Sequence, residues 1–247
     1  DPVSYLYPVP YSWYEDHKVR KYGAHGTSHR YIALSIAEEL KRDDLKVISC
    51  HLGNGGSITA IKDGKCVDTS MGFTPLEGIM MNTRSGDIDP SIIEFIAKKE
   101  NLSVSDIVKK LNKQSGIYAI NNGVSDMREL TSPENIYSEN VQLALNMYAY
   151  RVKKYIGAYA AVMNGVDAIV FTAGIGEYTP ELREMIIKDL DYLGAKLDNE
   201  KNYHAPRGEV FDLSAEWSKV KIFIIPTNEE LMIALECEKL LQKKWLV

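Results

Sequence analysis

Two short apolar runs in this chain each break into glycine. Lys46–Cys50 reads Lys-Val-Ile-Ser-Cys and passes into His51-Leu52-Gly53-Asn54-Gly55-Gly56. Asp167–Thr172 reads Asp-Ala-Ile-Val-Phe-Thr and passes into Ala173-Gly174-Ile175-Gly176. Runs this short, bounded by turn residues, are read as buried strands. Around them lie helical patterns. Ile32, Ala33, Ile36, Ala37 and Leu40 repeat at helical spacing behind a Thr27 or Ser28 cap. Ser138 to Met163 reads as one long helix interrupted only by Gly157, and Thr179-Pro180 opens a third with Leu182, Met185, Ile186 and Leu190 inward. Strands embedded among helices predict an α/β fold, a sheet covered by helices.

The remaining segments fit that plan. Tyr5 to Tyr14, rich in Tyr and Pro, predicts an extended arm within residues 1–20. Ser57–Ile61 and Cys66–Thr69 are strands joined by a hairpin at Lys62-Asp63-Gly64-Lys65. Met71 to Asp89 and Gly116 to Arg128 read as irregular. Asp89-Pro90 opens a helix, and Ser103 caps another with Asp106 three residues on. Lys221–Ile225 is the last strand, and Thr227 with Glu230 makes a capping box for the closing helix.

Charge and cysteine usage exclude several functions. Lys and Arg number 29 against 34 Asp and Glu, a formal net charge of −5, so no basic footprint for nucleic acid is expected. The longest apolar runs are far too short to cross a bilayer, and no cationic stretch with a following apolar run marks a secretory signal. The three cysteines, Cys50, Cys66 and Cys237, have no metal or redox spacing and are expected as core residues of a cytoplasmic protein. The chain begins without Met and is expected to be a piece of a longer product.

Chemistry concentrates in the glycine turns and a few charged side chains. Glycine lets a ligand approach the backbone, and the exposed N–H groups of such turns face anions. Asn54-Gly55-Gly56 is either a plain hairpin turn or a phosphate cradle, and Gly174-Ile175-Gly176 either a tight strand-to-helix turn or a second cradle. The P-loop signature is absent, and Thr179 occupies the third glycine position of the dinucleotide fingerprint. His25 and His29 are four apart, but Gly26 stands where a zinc helix needs its glutamate. His29 reads as packed and hydrogen-bonded; His25, on a glycine loop, is less readily a core residue. Arg84 is either a partner for Asp87 and Asp89 or a planar clamp for a phosphoryl group. Glu229, left over by the capping box, is either a first-turn acid on the helix dipole or a Mg²⁺ carboxylate.

Taken together the segments resemble the acetate kinase family. The likeness is carried by Tyr22-Gly23-Ala24-His25-Gly26-Thr27-Ser28-His29-Arg30-Tyr31, His51-Leu52-Gly53-Asn54-Gly55, and Asp68 to Gly78. It continues through Thr83-Arg84-Ser85-Gly86-Asp87-Ile88-Asp89-Pro90, Ser125 to Arg128, Phe171 to Glu177 and Pro226 to Leu231. The resemblance implies a ribonuclease H-like, actin-like domain of the sugar kinase/Hsp70/actin superfamily. It implies an arm over residues 1–20 from the hinge side and a C-terminal nucleotide-binding domain over 21–247, with the N-terminal domain absent from this chain. The implied reaction is reversible transfer of a phosphoryl group from ATP to acetate, giving acetyl phosphate and ADP, with Mg²⁺. Propionate or butyrate as acceptor, or a non-catalytic nucleotide-binding or dimerising fragment, are the alternatives. A homodimer is implied. By motif, His25 and Arg84 are the catalytic pair. His51, Asn54, Gly55, Asp126, Met127, Arg128, Gly174, Ile175, Gly176, Glu177 and Tyr178 fall on nucleotide-binding positions, and Glu229 on the metal-associated glutamate. Ala24, Gly56, Asn82 and Tyr178 depart from the family's usual residues, where Phe, Ala, Gly and Asn are common.

Overall fold

The computed structural model describes residues 1–244; the last three residues of the expected 21–247 unit lie outside the described residues. The opening segment departs from the expected extended arm. Pro2–Tyr5 (α1) and Tyr11–His17 (α2) are short helices. Proline explains both: Pro2 opens α1 and Pro10 immediately precedes α2, places where a missing N–H is harmless and a fixed φ suits a helix. The Tyr7 hydroxyl donates to the Glu77 carboxylate and accepts from the Phe73 N–H. The Lys21 ammonium reaches the Asp68 carboxylate at 3.0 Å and the Thr69 carbonyl at 2.9 Å.

Helix α3 (Gly26–Leu40) leads into β1 (Lys46–Leu52), β2 (Gly56–Lys62) and β3 (Lys65–Thr69). Asp63 and Gly64 both take positive φ, so the β2–β3 hairpin turns as its sequence predicts. Four helices follow: α4 (Ser91–Glu100), α5 (Val104–Lys113), α6 (Gly116–Ile120) and α7 (Met127–Leu130). The last two are short helices where the sequence predicts irregular chain: α6 lies inside Gly116–Arg128 and α7 straddles its end. At α5 the Ser103 hydroxyl accepts from the Asp106 N–H at 3.1 Å, the expected cap. The long α8 (Glu139–Val162) returns to β4 (Ala168–Thr172). Then come α9 (Ala173–Tyr178), α10 (Pro180–Ile187), α11 (Asn199–Tyr203), β5 (Phe211–Asp212), β6 (Lys221–Ile224) and α12 (Glu229–Lys244).

The six strands form one mixed sheet in the order β3-β2-β1-β4-β6-β5. β1, β4 and β6 are parallel, and the hairpin strands and β5 are antiparallel additions. The β2–β3 ladder slips register at Ala60 and Ile61, and β5 is only two residues long. Both faces are covered, which is why the central strands are apolar throughout rather than alternating. Ile48, Cys50 and Leu52 of β1 with Ile169 and Phe171 of β4 pack against α8 through Ala144, Tyr148, Val152 and Ile156. Val47, Ala168, Val170 and Phe223 point the other way and pack against Ile32 and Ile36 of α3. Cys50 is buried in this core, but Cys66 and Cys237 are exposed, contrary to expectation. Cys66 falls on β3, the rim of the sheet, where one flank has no strand to cover it.

Candidate functional site

The α3-facing side of the sheet changes character along β1. Val47 opposite Ile61 is apolar, but Ser49 opposite Thr59 and His51 opposite Ser57 are polar. Helix α3 meets this polar end with its first turn. It starts at Gly26 behind His25, two residues earlier than a Thr27 cap would allow, because His25 takes a left-handed φ of 59° and turns the chain there. Ser28 is thereby free of capping, and its hydroxyl pairs with His51 Nδ1 at 2.9 Å.

Three histidines gather as a result. The His25 and His51 rings stack with centroids 4.0 Å apart and 14° between planes. His25 Nδ1 meets Ser57 Oγ at 2.9 Å. His29 is packed and hydrogen-bonded as expected, with Nε2 on the same Ser57 Oγ at 2.7 Å and Nδ1 on Ser49 Oγ at 2.8 Å. Burial holds all three below the usual imidazole range, His29 at about 3 and His51 at about 4. Burial also dominates at His25, where the Glu229 carboxylate pulls upward and the Arg84 guanidinium downward. Arg84 and Glu229 therefore both act on His25 electrostatically. At neutral pH His25 is a neutral imidazole.

Arg84 forms no ion pair with Asp87 or Asp89, so the loop-pair alternative does not hold. Asp87 instead accepts from the Gly78 N–H and the Tyr155 hydroxyl, and Asp89 from the Ser91 N–H. The guanidinium lies against the first glycine turn: a Cβ added to Gly55 would stand 2.9 Å from its Nη1. It donates to the Pro75 carbonyl at 3.4 Å. Its loop is held by Gly86, whose φ of +66° and closeness to the Ile79 carbonyl leave no room for a side chain. The guanidinium thus lies over the β1–β2 turn, and among the described residues no carboxylate forms an ion pair with it.

Beyond that turn opens a cleft of about 770 Å³. Asn54, Asp126, Met127, Arg128, Gly174, Ile175 and Tyr178 line it, as expected for a common site. The Asn82 amide donates to Asn54 Oδ1 at 3.0 Å and to the Ser125 carbonyl at 3.1 Å, joining the turn to the segment before α7. Asp126 caps α7 through the Arg128 N–H, and the Arg128 guanidinium doubles back onto its carboxylate, which it holds below the usual range. A Cβ at Gly174 would meet nothing within 4 Å, so the glycine leaves room on the cleft side rather than relieving a clash.

Other assignments fall differently. Ala173–Tyr178 is a short helix, not a tight turn; the corner is made by Ala173 at φ 65°, and both glycines are helical. Gly176 and Glu177 do not line the cleft. A Cβ on Gly176 would stand 3.5 Å from the Phe171 backbone. The carbonyls of Gly176 and Glu177 accept from the guanidinium of Arg183, at 2.8 Å and 2.9 Å. Arg183, only 2% exposed, also donates to the Asn202 side-chain and backbone oxygens. It pins the far end of α9. Arg183→Met should leave these acceptors unpaired and lower unfolding stability by roughly 2–3 kcal/mol, readable as an earlier urea midpoint.

The closing helix is capped by Asn228, whose Oδ1 accepts from the Leu231 N–H at 2.9 Å, so the expected Thr227–Glu230 box is not formed. Glu229 is exposed in the first turn. His51 does not reach the cleft lining; it backs His25. The sequence reading missed Arg207, whose guanidinium lies 5.6 Å above the Tyr178 ring at the cleft wall. It also missed Ser49, whose interruption of the apolar run of β1 was the available signal, and Ser57 at the start of β2. Among the described residues no cluster of three His, Cys, Asp or Glu side chains could hold a metal ion, and no helix is long and apolar enough to cross a membrane.

The model of the acetokinase family matches residues 1–235. The acetate kinase of Caldicellulosiruptor saccharolyticus is 55% identical over 242 residues, 97% of this chain and 61% of that protein. The acetate kinase of Desulfitobacterium hafniense is 54% identical over 98% of this chain and 61% of its own length. Among solved structures, Porphyromonas gingivalis acetate kinase superposes with a TM-score of 0.93 at 43% identity, over 98% of this chain and 61% of that one. A propionate kinase from Francisella tularensis gives 0.88 at 44%, over 95% and 59%. The chain thus spans about 61% of the length of the curated relatives it matches.

Proposed function

This chain belongs to the acetokinase family and has the actin-like fold of the sugar kinase/Hsp70/actin superfamily, and from that premise we propose that it is the nucleotide-binding half of a kinase that phosphorylates acetate. The whole enzyme transfers the γ-phosphoryl group of ATP to acetate and forms acetyl phosphate and ADP, reversibly. Residues 1–20 are its hinge-side arm and residues 21–247 its C-terminal domain. The observation that carries this reading is the unneutralised Arg84 guanidinium against the Gly55 turn, at one end of a cleft of nucleotide size.

A carboxylate oxygen of the acceptor attacks the γ-phosphorus as the bond to the bridging oxygen of ADP breaks. Acetate is already ionised, so no proton has to be removed and no general base is required. What remains is alignment and cancellation of charge spread over the equatorial oxygens. Arg84 supplies a fixed positive charge, always protonated and able to contact two oxygens. Neutral His25 supplies a hydrogen-bond donor, kept dry by His51 stacked on it. Asn54, steadied by Asn82, and the backbone of the glycine turn hold the phosphate tail. Met127, Ile175 and Tyr178 offer apolar surface to the base.

Mg²⁺ fits the residues present. It is usually held by phosphate oxygens and water with only one or two carboxylates, so a single exposed Glu229 near His25 suits it better than an acidic cluster would. Mg²⁺ when bound neutralises charge on the phosphate oxygens. Propionate stays as a second acceptor, because the Francisella tularensis propionate kinase, at 44% identity, is as near in sequence as the Porphyromonas gingivalis acetate kinase at 43% to within one percentage point.

Calorimetric titration of the chain with ADP and Mg²⁺ tests the nucleotide half. Saturable one-to-one binding is expected. Gly174→Val, placed where a Cβ meets no protein atom, should weaken it at least about tenfold, some 1.4 kcal/mol, with the unfolding midpoint unchanged. Absence of binding at millimolar ADP would refute the reading. Binding without acetyl phosphate formation by the full-length protein would leave a nucleotide-binding module.

A further inference from the structure

Four side chains behind the site form one unbroken line: Ser49 Oγ, His29, Ser57 Oγ and His25. Ser49 and Ser57 are fully buried and His29 is 5% exposed. Ser49 Oγ has no partner but His29 Nδ1 among the described residues, and Ser57 Oγ none but the two imidazoles. A hydroxyl has one proton and a neutral imidazole has one N–H, so the possible arrangements can be counted. If His25 Nδ1 carried the proton, it would donate to Ser57. Ser57 would then donate to His29 Nε2, His29 Nδ1–H would donate to Ser49, and the buried Ser49 O–H would be left with no acceptor. If both histidines donated to Ser57, the buried Ser57 O–H would be orphaned instead. If Ser57 divided its one proton between both rings, Ser49 would again lose its acceptor.

One arrangement pairs every buried donor. Ser49 O–H donates to His29 Nδ1, His29 Nε2–H donates to Ser57 Oγ, and Ser57 O–H donates to His25 Nδ1. His25 must then carry its proton on Nε2. We infer that Ser57 and His29 are positioning residues that lock His25 in its Nε2–H tautomer, presenting a neutral N–H donor outward. A fixed donor needs no reorganisation when charge develops on an oxygen nearby. That use rests on the kinase reading; the tautomer itself rests only on the hydrogen-bond line. The depressed proton affinity of His29 agrees, since a cationic ring would donate from both nitrogens and break the direction.

The experiment is long-range ¹H–¹⁵N correlation on the chain labelled with ¹⁵N-histidine, at neutral pH. The wild-type chain is expected to show His25 with a protonated Nε2 and a bare Nδ1, as a single form. S57A should leave both tautomers populated, and S57T, which keeps the hydroxyl, should restore one. A wild-type His25 protonated on Nδ1 overturns the inference, as does an S57A spectrum with the tautomer unchanged. The wild-type spectrum decides by itself if S57A does not fold. ADP titration of the same sample separates the two readings. The expected tautomer without ADP binding sinks the nucleotide site alone, and ADP binding with the opposite tautomer sinks the relay alone.

Discussion

Arg84→Ala in the full-length enzyme should lower turnover at least about a hundredfold, with little change in stability. Removing one preorganised donor from a transition state commonly costs roughly 3–4 kcal/mol. Arg84 should sit at the high end, because its charge is not neutralised in the resting protein: Asp87 and Asp89 are both engaged elsewhere. Among the described residues its donations reach only the Pro75 carbonyl and the Met81 sulfur, both weak. Arg84→Lys keeps the charge but not the planar fork, and should recover only part of the rate. A coupled assay of acetyl phosphate formation, with saturating acetate and ATP, measures both. Turnover of Arg84→Ala within a factor of a few of wild type would remove Arg84 from the mechanism.

Acid should weaken this fold through His29 and His51 well before most carboxylates protonate. Each has its folded proton affinity depressed by burial, His29 to about 3 and His51 to about 4, while an unfolded imidazole titrates near about 6.5. Below that value the unfolded chain binds protons the folded chain refuses, so stability falls as pH falls. The contribution is fully present above the unfolded value and is lost progressively toward the folded values. At about pH 5 the loss is about 2 kcal/mol for each ring, roughly 4 kcal/mol in all. Urea unfolding at about pH 7.5 and about pH 5 should show that difference, and H51Q should remove about half of it. A midpoint independent of pH over this range would mean that the histidines are not buried as neutral groups.

The sheet was legible except for β5, because its other strands are short runs between turn residues, while two residues at Phe211–Asp212 carry no pattern. The long α8 was legible because one glycine is a small interruption in 24 helical residues. What local sequence hid was the use of special backbone at helix starts. His25 and Ala173 take left-handed φ where glycine would be the expected residue, and both shift the start of a helix. Asn228 displaced Thr227 as a cap because two good capping residues stand side by side, and spacing cannot rank them. At the site, the motif residues Asn54, Asp126, Met127, Arg128, Gly174, Ile175 and Tyr178 do converge on one cleft. Arg207 was invisible because it arrives from a loop distant in sequence. The Ser49–His29–Ser57 line depends on register between strands, which pairs His51 with Ser57 and is fixed only by folding.

Sheets left with open rims recruit foreign strands. Here one rim is the two-residue β5 and the other is β3, whose ladder slips beside it and whose exposed start carries Lys65. Neither offers a long flat template of free N–H and C=O groups. Growth of the sheet by an added strand is thereby disfavoured at both rims.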